Sequence, residues 1–128
     1  MSYYFAQTLQ SSFDDAVNKT TAALKEEGFG IITEIDVKET LKRKLDVDFR
    51  RYKILGACNP KLAHEALKVE DKVGTMLPCN VIVQELDSDQ VEVAAIDPVA
   101  SMQAIENREL EKKASVVRQK LQRVIEKL

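Results

Sequence analysis

With 128 residues, 45% apolar and 31% charged, the chain fits one globular domain over 1–128, large enough to build a core without staples. Its 21 acids and 19 bases are mixed along the chain and leave a net charge of −2, which gives no basic footprint for nucleic acid. No stretch approaches the roughly 20 apolar residues of a membrane span, and no basic-then-apolar signal segment opens the chain, so a cytoplasmic location with free thiols at Cys58 and Cys79 is expected.

In chain order, residues 3–9 read as a strand. Ser12 then caps a helix in which Phe13, Ala16, Val17, Thr20 and Leu24 recur at helical spacing, and Gly28 stops it. Residues 29–35 read as a second strand, apolar at more consecutive positions than one wet face explains. Asp36 and Glu39 resemble a capping box and open a short basic helix with Leu41 and Leu45 expected to face inward. Its lysines form a solvated face or a surface for an acidic partner.

Residues 52–57 read as a third strand. Asn59 caps the next helix with Pro60 at its first position, where the missing N–H costs nothing. That helix, over 60–69, is expected to bury Leu62 or Ala63, Ala66 and Leu67, and 70–76 reads as a loop. Two β-branched runs around Asp87-Ser88-Asp89-Gln90 read as a hairpin. Asp97-Pro98 repeats the cap-plus-proline device, and Asn107 caps a last helix. On that helix Leu110, Ala114, Val117, Leu121, Val124 and Leu128 alternate by four and three, a seam that covers its own sheet or pairs with a second chain. The order β-α-β-α-β-α-β-β-α-α, with polar residues in most strands, predicts an α+β fold: a mostly antiparallel sheet of about five strands with helices on one face.

The chemistry gathers at strand ends. Cys58 closes the third strand and Cys79 opens the fourth, so an antiparallel pair brings both thiols to one edge of the sheet. Asp97, at the end of the fifth strand, returns to that edge. The helix starts at Asn59 and Asp97 supply partial positive charge there, suited to a small anion or to lowering a thiol pKa. His64, the only histidine, lies one turn into the helix that starts at Pro60 and reads as a surface residue on a charged helix. Cys58, His64 and Cys79 match no recognised metal-ligand spacing. No Gly-x-Ser-x-Gly elbow or Gly-rich phosphate loop occurs, no catalytic set is complete, and no cofactor is expected.

The strings Tyr52-Lys53-Ile54-Leu55-Gly56-Ala57-Cys58-Asn59-Pro60 and Leu77-Pro78-Cys79-Asn80-Val81, with Asp97-Pro98 after a hairpin, resemble domain-of-unknown-function family 302 over essentially the whole chain. The resemblance implies a single α+β domain of TBP-like sheet-and-helix layout, often a homodimer, and it implies no activity, substrate or catalytic residue. The expected function is a dimeric module that binds a small ligand or a partner segment at the Cys58, Asn59, Cys79, Asp97, His64 edge. The alternative is a thiol enzyme or redox sensor using Cys58 or Cys79, whose second thiol would resolve an oxidised intermediate.

Overall fold

Each side chain read as a cap opens a helix in the computed structural model, which describes residues 2–128. Ser12 Oγ accepts the Asp15 N–H at 3.1 Å and opens α1 (Phe13–Glu26). Asp36 accepts the Glu39 N–H at 3.0 Å and opens α2 (Val37–Leu45). Asn59, Asp97 and Asn107 do the same for α3 (Pro60–Val69), α4 (Pro98–Ser101) and α5 (Arg108–Glu126). Each cap satisfies N–H groups that the first turn leaves without a partner. Gly28 ends α1 with φ at +87°, a left-handed conformation that glycine reaches without penalty.

The strands β1 (Tyr4–Gln10), β2 (Gly30–Asp36), β3 (Tyr52–Cys58), β4 (Cys79–Asp87) and β5 (Gln90–Ile96) form one sheet in the order β1-β5-β4-β3-β2. Every neighbouring pair is antiparallel, so the fold is α+β as the element order predicts. Alternation decides the faces. Leu55, Val81, Val83, Val91 and Val93 turn to the side covered by α1 and α5, where they meet Phe13, Leu24, Leu121 and Val124 in the main cluster of buried side chains. A second, smaller cluster joins Ala66, Val73, Met102, Leu110 and Ala114 at one end of the sheet. The α5 seam is therefore spent inside the chain, with Leu110, Ala114, Leu121 and Val124 buried and Ile125 joining them.

Three local expectations fail for identifiable reasons. The presumed loop contains a 3₁₀ segment, Asp71–Met76, because Val73 inserts into the second cluster and tightens the turn. Leu67 lies on the outer side of α3 and is exposed, leaving Ala66 as that helix's only buried residue. Leu45 is also exposed: α2 follows an edge strand and buries none of its residues fully, and of the expected inward pair only Leu41 is half-buried.

Glu27, just past α1, clasps α5 by accepting hydrogen bonds from Arg123 at 2.9 Å and Lys127 at 2.9 Å. The hydrogen bond from Arg123, and then that from Lys127, hold its carboxyl down at about 2, from an ordinary 4.5. A depressed carboxylate contributes stability that is present above its unfolded value and is lost as pH falls through its folded one. Urea titrations should therefore show wild type more stable than Glu27→Gln at pH 7, with the gap closing between about pH 4.5 and pH 2. A gap that stays constant over that window would show that the carboxylate charge contributes nothing.

Candidate functional site

The β3–β4 register sets Ala57 opposite Cys79 and puts Cys58 one residue further on, so the two thiols share one end of the sheet as the strand directions require. At that end, β3 runs straight into α3 through the Asn59 cap. The polypeptide returns through Leu77 and Pro78 into β4, and α5 crosses behind. These elements diverge around a cavity of about 200 Å³. Ala57, Cys79 and Phe29 reach it from the main cluster, and Ala66, Met102, Leu110 and Ala114 from the second, so it lies between the two. Four alanines, 57, 63, 66 and 114, stand on its wall, and their short side chains leave the space between strand and helices unfilled.

The wall is almost wholly apolar. Its polar members are the two thiols, Asn59 and Lys113. Asn59 Oδ1 is already committed to the Leu62 N–H at 3.3 Å, and Lys113 Nζ lies 3.6 Å from Glu65 Oε2. No buried side-chain nitrogen or oxygen lacks a partner among the described residues. Cys58 is half-buried and Cys79 buried. Burial pushes the Cys79 thiol up to about 11, and the nearby Cys58 adds to the rise. Since the thiolate is the reactive form, Cys79 is held in its inert state at neutral pH.

Of the residues that the sequence marks, Cys58, Asn59 and Cys79 meet at this cavity, while Asp97 and His64 stand outside its wall. Asp97 does reach the same end of the sheet, but it is fully engaged there. One oxygen accepts the Val99 N–H at 3.0 Å and the Ala100 N–H at 3.4 Å, and the other accepts from Arg118 Nε at 3.0 Å. Both helix starts are thus closed by their own caps. His64 is exposed on α3. Cys58, His64 and Cys79 do not gather as a ligand set, and no group of three or more His, Cys, Asp or Glu converges among the described residues. Sequence reading missed Met102, Leu110, Lys113 and Ala114 as wall residues, because nothing local says that α5 and the end of α4 pack against α3 there. The one available signal was the run of small residues at Ala57, Ala63 and Ala66 flanking the cysteine.

No described helix is long and apolar enough to cross a membrane. No curated protein matches the chain. A crystal structure of an uncharacterized conserved protein DUF302 from Bacillus stearothermophilus shares the fold, with a TM-score of 0.90 over 98% of each chain at 23% sequence identity. The family model of the domain of unknown function DUF302 matches residues 5–128, and the chain belongs to that family.

Proposed function

We propose that this DUF302 protein is a homodimeric binding module whose site is the cavity beside Cys58 and Cys79, and that its ligand is a small apolar molecule. The cavity itself carries the reading. A half-open apolar cavity of about 200 Å³ between two core clusters, with exposed Ile32 on its wall, leaves its deeper wall residues short of packing contacts that an apolar ligand would restore. Dry apolar cavities near 150 Å³ are known to accept benzene. The committed polar groups and the capped helix starts favour an apolar ligand over the anion that the sequence suggested. Lys113 at the wall allows one variation, an apolar body with an acidic head.

Benzene and hexanoate are the probes that separate these cases. Burying a six-carbon body at about 0.8 kcal/mol per carbon gives about 5 kcal/mol, or a Kd of a few hundred micromolar. At ten times that concentration a ligand bound to the folded state alone stabilises it by about 1.4 kcal/mol, which raises Tm by about 4–6 °C in a domain of this size. Benzene should give that shift in wild type and lose it in Ala63→Phe, where a ring placed on half-buried Ala63 fills the space. A larger shift with hexanoate, abolished by Lys113→Met, would assign the head group to Lys113. No shift with either probe at 5 mM overturns the binding reading.

The thiol alternative finds less support. It needs a low-pKa nucleophile, and Cys79 is displaced in the opposite direction.

A further inference from the structure

We propose that the homodimer forms through the uncovered face of the sheet, two copies packing face to face. The inference rests on the homodimer reading above and names its surface. The registers place Ala6, Ala94, Ile82, Ile54 and Ile35 directly opposite one another, an apolar row running across all five strands on the side away from α1 and α5. Directly paired residues share a face, so this row is continuous from edge to edge. Ile35 is 47% exposed and Tyr4, beside the row, 45%. Two residues to either side, and so on the same face, run the flanking rows, Thr8–Glu92–Gln84–Tyr52 and, on the other, Tyr4–Ile96 with Asn80–Gly56–Thr33.

Of all these residues only Glu92 is charged, in a chain where 31% are. Depletion of charge with retention of tyrosine is what the centre of a protein interface shows, and what a solvated sheet face does not. The occupant is a second copy because the face is neutral to itself. Glu92 Oε1 accepts from Gln84 Nε2 at 2.9 Å, and Gln84 Oε1 accepts from Arg50 Nε at 2.8 Å. The nearby anion and cation are thus joined through one amide, and an identical face meets no net charge. The size also fits. Over the seven residues that all five strands share in length, the face covers roughly 24 by 23 Å, about 550 Å². Two such faces bury about 1,100 Å² before side-chain relief is counted, close to the lower bound for a stable interface. Sheets packed in this way sit about 10 Å apart.

Light scattering across 1–100 µM decides the matter. Wild type should have twice the chain mass. Ile82→Glu, at the centre of the row, should have the mass of one chain while keeping its far-UV circular dichroism. Ile35→Ser is the milder variant: Ile35 is exposed in the single chain, so the fold survives, and the dimer Kd should rise at least tenfold. Val116→Glu, on an exposed point of α5, should leave the dimer unchanged. A wild type of single-chain mass at 100 µM overturns the homodimer reading together with this surface, and would leave a different protein as the occupant. A wild-type dimer that Ile82→Glu and Ile35→Ser both leave intact overturns the surface alone. Benzene binding by either variant has no bearing on this outcome, so cavity and interface stand or fall separately.

Discussion

Leu121→Ala should be among the most damaging single truncations in this protein, lowering stability by about 2–5 kcal/mol. Leu121 is fully buried in the middle of the α5 seam, where that helix lies on the sheet alongside α1. Removing its isobutyl group forfeits the transfer free energy of the lost carbons and leaves a void. The neighbours at that point are Val124 and strand valines fixed in a five-stranded ladder, which cannot collapse inward. Urea unfolding should report the loss as a shift in midpoint at constant slope. Leu110→Ala is the informative comparison, because Leu110 is equally buried but already borders the cavity. Its truncation enlarges an existing space, so the loss should fall toward the lower end of the range. Equal losses at the two positions would mean that the cavity is closed by rearrangement in solution.

The contrast between these two leucines also marks where sequence reasoning stops. The seam was legible because spacings of four and three report a helix face directly, and burial of Leu110, Ala114, Leu121 and Val124 follows. The caps were legible because Ser12, Asp36, Asn59, Asp97 and Asn107 act within three residues of themselves. Strand direction followed from the hairpin, and with it the shared position of Cys58 and Cys79. What those local rules cannot say is which surface a face meets. Leu45 and Leu67 lie at helical spacing as Leu110 does, and both are exposed. Asp97 reaches the expected end of the sheet, yet its carboxylate turns to Arg118, a partner 21 residues away that no motif announces.

The cavity belongs to the same class of long-range facts. Its wall draws on β3, α3, the approach to β4, and α5, and it exists because small residues coincide where these elements part. The open face was half legible. Excess apolar character in the second strand pointed to a surface needing cover, but the row through Ile35, Ile54, Ile82, Ala94 and Ala6 emerges only once four registers are known together. A shift of one residue in β2 would put Glu34 or Asp36 into that row.

Gly56→Ala should test the wall and the sheet at once. Gly56 is buried in β3, opposite Asn80 and beside Thr33. An added Cβ would fall against Thr33 Oγ1 and only 2.7 Å from Pro78 Cγ. Two effects of opposite sign compete. Alanine restricts the unfolded chain and by that route stabilises by about 0.4–1 kcal/mol. Overpacking costs about 1–3 kcal/mol. Thr33 lies on the edge strand and relieves its part by turning about χ1, but the Pro78 ring is held between Leu77 and Cys79, both on the cavity wall. The clash should therefore win, with a net loss of about 1–2 kcal/mol in urea unfolding. Adding Thr33→Ala should recover only a minor share. Displacement of Pro78 should also move the wall, so the benzene-induced rise in Tm should shrink. Gly30→Ala supplies the control, since its Cβ would have no neighbour within 4 Å, and its stability should stay within about 0.5 kcal/mol of wild type. Full recovery on adding Thr33→Ala would locate the strain in β2 and leave the cavity wall uninvolved.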